Sequence, residues 1–248
     1  MQILWITNFD LTGQYNIIIN MASFNRFSPN EIYHCFSRGV DKRITFITSS
    51  DYSRFQQLLY TCNNELMVQR SSLFKIKHTD VFEIPIDKKI VSIGAYSLMP
   101  NHFHILLKEI KEGGISLFMS RLGNSYTKYF NTKNKRNGNL FVKPFRSKHI
   151  NSESHFSHIV QYIHINTAEL FESKFKDSTI SNFKILEKSM MNYQYSSLPD
   201  YYKTKRPEKN ILDNEFFQLL SEDIPPLFNI LEDSNEYYSS LDLSGQEF

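Results

Sequence analysis

Short apolar runs alternate with longer amphipathic segments along the chain, and this pattern predicts strands and helices in turn. The run Ile32–Arg38 is rich in aromatic and apolar residues and stops at Gly39, which is typical of a strand followed by a turn. After Ser50 and Asp51, which suit a helix N-terminus, apolar residues recur at the spacing of one helix face. The first patterned segments therefore predict a strand followed by an amphipathic helix.

A proline turn separates the next two predicted strands, at residues 90–98 and 102–110. Side chains alternate along a strand, so His102 and His104 share one face of the second strand. The pattern thus predicts two imidazoles on the same side of the sheet.

Two further helices are predicted in the second half of the chain. A Gly-Gly pair at 113–114 ends the strand, and apolar residues at helical spacing then predict a helix to about Asn131. A second helix is predicted over residues 152–170, with Tyr162 and Asn166 one turn apart on its flank. Strands alternating with helices favour an α+β fold with helices on one sheet face.

The patterning divides the chain into three parts. Residues 1–28 show no clean period and are predicted to be an N-terminal extension, in which Met21 offers a second start for the body. Residues 29–204 form the predicted body, and residues 205–248 are predicted to be an acidic C-terminal appendage. This appendage either covers a basic surface of the body or is a plain solvated extension.

Composition places the chain among folded globular proteins. Its 248 residues are 41% hydrophobic and 22% charged, which excludes collagen-like, wholly disordered and disulfide-dense classes. No apolar run approaches the roughly 18 residues that span a bilayer, and the N-terminus lacks signal-peptide features. We therefore expect a cytoplasmic protein with no membrane partner, in which Cys35 and Cys62 are buried thiols.

Charge is distributed unevenly along the chain. Residues 210–248 contain nine acids and no Lys or Arg, so this segment has a charge of −9. All 28 bases and the other 17 acids lie in residues 1–209, which gives that part +11. A body with this charge suits a polyanionic ligand better than the net charge of +2 suggests.

Residues 128–148 form a predicted basic loop that contains seven bases, four aromatic residues and no acid. Bases neutralise phosphates and aromatic rings stack on nucleobases, so the combination suits single-stranded nucleic acid. A solvated surface loop is the alternative. The candidate DNA-binding residues are Lys128, Lys133, Lys135, Arg136, Lys143, Arg146 and Lys148.

Two residue pairs could carry chemistry. His102 and His104 can aim two ring nitrogens at one divalent metal, although two histidines on a half-exposed strand would give the same spacing. The Asn166 amide oxygen can ligate a metal while the Tyr162 hydroxyl meets an electrophile held by that metal. A half-buried tyrosine at the margin of the core is the alternative.

A third pair, Tyr126 and Tyr129, lies among the basic residues. Such a pair more often forms a base-stacking or packing surface than a nucleophile.

Four segments together give the chain a resemblance to the single-tyrosine HUH transposases, in particular to the REP-associated branch of the IS200-like group. The resemblance covers about residues 30–200, and the joint occurrence of MPNHFHILL and YIHIN is its most specific part. The segments are residues 33–39 (YHCFSRG), 95–107 (AYSLMPNHFHILL), 129–131 with 138–141 (YFN and GNLF) and 162–166 (YIHIN).

The resemblance implies a ferredoxin-like antiparallel sheet that carries the histidines, with the tyrosine on a helix nearby. It implies that His102 and His104 bind Mg²⁺ or Mn²⁺, that Asn166 is the third metal ligand and that Tyr162 is the nucleophile. The implied reaction is cleavage and strand transfer of single-stranded or hairpin DNA through a 5′-phosphotyrosine. A homodimer, with the site formed within one chain or between two, is left open.

Two departures from the family pattern leave alternatives open. Thr167 stands where related sequences commonly have proline, and the acidic segment from about residue 205 lies outside the match. A domesticated protein that binds hairpin or single-stranded DNA without transposition is one alternative. A zinc hydrolase that uses His102, His104 and a distant carboxylate or histidine is another.

Overall fold

The computed structural model describes residues 6–9, 15–18, 27–66, 76–151, 153–173, 175, 180, 182–202, 204–221 and 224–240. Most of the predicted N-terminal extension, residues 1–28, lies outside this set. Its described part includes two short antiparallel strands, β1 (Ile6–Phe9) and β2 (Tyr15–Ile18).

The main sheet has four antiparallel strands in the spatial order β4-β5-β3-β6. Three of these strands match predicted ones, whereas β6 lies in the segment predicted to be a basic loop. The strands are β3 (Ile32–Arg38), β4 (Val91–Met99), β5 (His102–Glu109) and β6 (Arg146–Ile150).

Seven α-helices are found in the described residues, and four short 3-10 helices accompany them. The α-helices are α1 (Ser49–Thr61), α2 (Gly114–Lys133), α3 (Glu153–Ile165), α4 (Phe183–Met191), α5 (Leu198–Tyr201), α6 (Asn214–Ser221) and α7 (Leu227–Ser240). The 3-10 helices are Val40–Lys42, Thr79–Glu83, Asn166–Leu170 and Pro207–Ile211.

The element order β3-α1-β4-β5-α2-β6, with this strand order, is the ferredoxin-like arrangement. Helices α1 and α2 pack on the sheet face to which Phe103 points, because Phe103 contacts Phe55 of α1 with ring centroids 5.0 Å apart. Phe55 in turn contacts Tyr126 of α2 at 5.0 Å. The predicted α+β fold, with helices packed on an antiparallel sheet, is confirmed.

Helix α3 packs against β4 and β5. It lies on the sheet face opposite α1 and α2, because it contacts the strand side chains that alternate with Phe103. This face also carries apolar residues such as Leu106, which is fully buried and must be covered. Val160 and Ile163 of α3 are buried as well, so the helix that carries Tyr162 is fixed by an apolar contact.

Helix α1 begins with a capping box formed by Thr48 and Asp51, two residues before the helix start that the sequence suggests. The Asp51 carboxylate is fully buried and accepts hydrogen bonds from the backbone N–H groups of Ile47 (3.0 Å) and Thr48 (2.8 Å). It also pairs with Lys133 at the end of α2, at 2.6 Å. One carboxylate therefore joins the start of α1 to the end of α2.

The outer edge of β4 is covered by the C-terminal part of the chain. Backbone hydrogen bonds join Leu98 to Tyr195 (3.0 Å), Ser197 to Tyr96 (2.9 Å) and Asp213 to Ile93 (2.9 Å). All nine residues of β4 are buried. The edge is therefore not available for pairing with another strand.

Helix α6 extends this cover over β4. A side chain at Gly94 would meet Leu220 at 2.6 Å and Phe216 at 2.8 Å, so the glycine permits the close approach of the helix. Phe216 and Leu220 belong to the main core, together with Ile211 and Leu212. Residues 207–221 of the acidic segment thus pack into the body of the protein.

Cys35 and Cys62 are buried thiols, as predicted. Across the described ranges, none of the helices combines the length and the apolar character that crossing a bilayer requires.

Candidate active site

His102 and His104 lie on β5, between β4 and β3, and point to the same sheet face. Their ring centroids are 5.1 Å apart and the rings are nearly perpendicular. His104 is buried and His102 is half-buried at the end of the strand. The strand thus presents two imidazoles side by side.

Tyr162 lies in the last turn of α3, above the histidine face. Its ring centroid is 6.1 Å from that of His104 and 5.7 Å from that of His34, with an edge-on geometry in both cases. The Tyr162 side chain is 40% exposed, so a large substrate can reach it. The structure therefore brings together the imidazole and the phenol that the motifs single out.

Asn166 begins the 3-10 helix that follows α3, one turn after Tyr162. Its amide Nδ2 donates to the backbone carbonyl of Tyr162 at 2.7 Å, and the residue is buried. This bond holds the carboxamide against the end of its own helix. The role of Asn166 as a metal ligand stays a prediction.

The side chain of Thr167 adds a second bond at this helix end. Its hydroxyl donates to the backbone carbonyl of His164 at 2.8 Å. Two side-chain hydrogen bonds therefore support the backbone turn after Tyr162.

The side chain of Asn101 holds the first histidine. Its Oδ1 lies 2.7 Å from His102 Nδ1, and its Nδ2 donates to the backbone carbonyl of Lys42 at 3.2 Å. An amide oxygen only accepts hydrogen bonds, so the proton of neutral His102 lies on Nδ1 and the lone pair lies on Nε2.

The second histidine is held by a residue that the sequence did not single out. His34 of β3 lies beside His104, with 2.8 Å between His34 Nε2 and His104 Nδ1 and with the rings stacked at 5.0 Å. Burial, and then the positive charge of Lys148, lower the pKa of His34 to about 4. His34 is therefore neutral at physiological pH.

The side chains around the two histidines provide only part of the ligands that a divalent metal needs. Within the described ranges, no group of three or more His, Cys, Asp or Glu side chains is arranged to hold a metal ion. A site here would have to combine the two imidazoles with the Asn166 amide oxygen and with water or phosphate oxygens. Mixed nitrogen and oxygen donors suit Mn²⁺ better than Mg²⁺, which prefers oxygen ligands alone.

Tyr126 and Tyr129 lie on the other side of the sheet. Tyr126 is fully buried against Phe55 and donates its hydroxyl to the carbonyl of Thr45 at 2.7 Å, and burial strongly raises its pKa. The Tyr129 hydroxyl donates to Asp51 at 3.0 Å. Both tyrosines therefore belong to the packing of α1 against α2.

The seven candidate DNA-binding bases do not form one loop, and the expectation of a continuous basic loop is wrong. Lys128 and Lys133 belong to α2, whose apolar face extends the helix to residue 133. Lys135, Arg136 and Lys143 lie in the connection, and Arg146 and Lys148 lie on β6.

Only part of this basic set faces the histidines. Arg146 is the cross-strand partner of Phe36, and Lys148 is that of His34, so both point to the histidine face and both are exposed. Lys133 pairs with Asp51 on the other face. Arg136 donates to the Asn131 side chain at 2.6 Å, which closes the turn after α2.

Comparison with known proteins identifies the family. A family model described as IS200-like transposase matches residues 43–177, which include His102, His104, Tyr162 and Asn166. The chain is also similar to the solved structure of a REP-associated tyrosine transposase bound to a REP hairpin, with 15% identity and a TM-score of 0.44. That match covers 73% of this chain and 86% of the other. No protein of curated function matches the chain. Since the family model covers more than half of its residues, the chain belongs to the IS200-like transposase family.

Proposed function

We propose that the protein cleaves and rejoins single-stranded DNA in a metal-dependent reaction, with Tyr162 as the nucleophile. The observation that carries this proposal is the position of the Tyr162 ring beside the His104 ring, with 6.1 Å between the ring centroids, in a chain of the transposase family. The two residues come from separate segments, a strand and a helix. His102, His104 and Asn166 would hold Mg²⁺ or Mn²⁺.

The chemistry of a phenol explains why the histidines matter. A tyrosine with its ordinary pKa of about 10 is protonated at pH 7, so it attacks a phosphodiester only where the developing negative charge is stabilised. A bound divalent ion supplies that stabilisation at the phosphate oxygens. The chain itself contributes the fixed position of the Tyr162 ring beside the imidazoles.

The proposed step exchanges one ester for another. The Tyr162 oxygen forms a bond to phosphorus while the bond from phosphorus to the 3′-oxygen breaks. The phenol loses its proton and the departing 3′-oxygen gains one, which leaves a 5′-phosphotyrosine and a free 3′-hydroxyl. A 3′-hydroxyl can reverse the step, so strands can be joined without a nucleotide cofactor.

The surface around the site favours a single-stranded or hairpin substrate. Arg146 and Lys148 are exposed on the histidine face and can neutralise phosphates beside His34. Tyr162 lies above the β-sheet, and single-stranded DNA can bend to reach its hydroxyl more easily than a DNA duplex can.

The test is a denaturing gel of protein incubated with Mn²⁺ and a hairpin oligonucleotide. The oligonucleotide carries its label at the 3′ end, because the 3′ fragment keeps the phosphate that joins Tyr162. We expect Tyr162→Phe to abolish the covalent adduct and to leave DNA binding unchanged. Tyr129→Phe is the matched control and should keep the adduct, since Tyr129 packs on the other side of the sheet.

Three results would contradict the proposal. An adduct that persists in Tyr162→Phe would place the nucleophile elsewhere. Binding without any adduct in the wild-type protein would favour the non-catalytic DNA-binding alternative. Stoichiometric zinc retained through purification would favour the hydrolase alternative.

A further inference from the structure

We infer that His34 and Asn101 are positioning residues that orient His104 and His102 toward the metal. Each side chain contacts the Nδ1 nitrogen of one histidine, at 2.8 Å for His34 and at 2.7 Å for Asn101. An imidazole whose Nδ1–H donates a hydrogen bond presents the lone pair of Nε2 to a metal. The inference rests on the proposed function, because it assigns a purpose to the two bonds only if the histidines bind an ion.

The Asn101 amide is fixed at both ends, which makes its orientation unambiguous. Its Nδ2 donates to the Lys42 carbonyl at 3.2 Å, so its Oδ1 is the atom that faces His102. The main chain of Asn101 is held as well, because its carbonyl accepts from the N–H of Gly39 at 2.8 Å. Asn101 thus connects His102 to the loop that follows β3.

The backbone of that loop has unusual dihedral angles at two residues. Asp41 and Lys42 have φ values of +58° and +57°, in the left-handed region that is costly for residues other than glycine. A side chain at Gly39 would lie 2.3 Å from the Arg43 carbonyl, so the loop also needs a glycine where it leaves the strand. The strained turn carries the carbonyl that orients Asn101.

His34 is held as firmly on the other side of the pair. It is buried, its ring stacks on His104 at 5.0 Å, and Phe36 stacks on both rings at 5.0 and 5.7 Å. Its Nε2 lies 2.8 Å from His104 Nδ1. In the inferred arrangement His104 Nδ1–H donates to His34 Nε2, which leaves the lone pair of His104 on Nε2. Since His34 directs its Nε2 at a ring nitrogen, it acts through His104 rather than as a ligand.

The test measures Mn²⁺ binding by the full-length protein without DNA, by calorimetry. We expect His34→Phe and Asn101→Leu each to weaken Mn²⁺ binding about 10- to 100-fold, the usual effect of losing a partner of a metal-bound histidine. His34→Gln and Asn101→Asp, which keep an acceptor, should restore most of the affinity. His149→Gln is the matched control, since His149 pairs with Glu31 on the β6 edge and should leave binding unchanged.

Pulsed electron paramagnetic resonance of bound Mn²⁺ separates positioning from ligation. We expect two coordinated imidazoles in the wild-type protein and two in His34→Phe. Loss of one imidazole in that variant would show that His34 is itself a ligand, and unchanged affinity in both His34→Phe and Asn101→Leu would equally overturn the inference. Failure of His102→Ala to reduce Mn²⁺ binding would instead overturn the metal site of the proposed function.

Discussion

Asp51 shows how much of the architecture can depend on one buried side chain. Its carboxylate caps α1 and pairs with Lys133 of α2, so it stabilises the helix layer behind the sheet. We expect Asp51→Ala to lower the free energy of unfolding by about 2 kcal/mol, the upper end for loss of a helix cap. Urea unfolding at pH 7 measures this, with the exposed Asp87→Ala as a control that should stay close to wild type.

The same residue gives the stability a predictable pH dependence. Burial alone would raise the pKa of Asp51, but hydrogen bonds from Lys133, Thr48, Tyr129 and Ile47 outweigh it and lower the pKa. The stabilisation by Asp51 is therefore complete above the pKa of its carboxyl in the unfolded chain, which is about 4. It decreases as the pH falls through the lower pKa that the carboxyl has in the folded protein. The difference between wild type and Asp51→Ala should shrink below pH 4; an undiminished difference there would contradict the assignment.

Single residues also mark the limit of what the sequence predicts about the site. The motifs predict that His102, His104 and Tyr162 meet, and the structure places Tyr162 beside His104. They do not predict His34, because its contact depends on the register between β3 and β5, which joins positions 70 residues apart. The role of Asn101 likewise depends on the Lys42 carbonyl, 59 residues away.

At the level of elements, alternation and helical spacing predict β3, β4, β5, α1 and α2 closely. Strand β6 is missed because four of its five residues are polar or charged, which resembles a solvated loop. Charged side chains are typical of an exposed edge strand, where they discourage pairing with other chains. The end of α2 is missed for a related reason, since Lys133 lies in the basic run but pairs with Asp51.

The contact between α6 and β4 gives a prediction for the C-terminal segment. Phe216 is 4% exposed and packs over Gly94, so Phe216→Ala should lower the free energy of unfolding by about 3–4 kcal/mol through the cavity it leaves. Leu219 on the same helix is 53% exposed, and Leu219→Ala should change stability by less than about 0.5 kcal/mol. Equal effects of the two variants in thermal or urea unfolding would show that α6 does not pack as described.

At the level of the whole molecule, the charge distribution predicts how DNA binding depends on salt. Residues 1–209 have a charge of +11, and Arg146 and Lys148 lie on the histidine face. For single-stranded DNA, each lost phosphate contact should reduce the slope of log affinity against log salt by about 0.7. We therefore expect Arg146→Gln and Lys148→Gln each to reduce the slope by this amount, as measured by fluorescence anisotropy.

Lys133→Gln is the control for this experiment, because Lys133 has the same charge and lies in the same basic run. Its ammonium is committed to Asp51 on the opposite side of the sheet, so its loss should leave the salt dependence unchanged. A slope reduced by Lys133→Gln but not by the two β6 variants would place the DNA on the helix layer instead.

The most direct test of the central claim is an anomalous difference map from a crystal of the protein grown with Mn²⁺. We expect a peak about 2 Å from Nε2 of both His102 and His104, on the side of the sheet that carries Tyr162. A peak bound elsewhere, or no peak at the histidines at saturating Mn²⁺, would contradict a metal-dependent tyrosine reaction at this site.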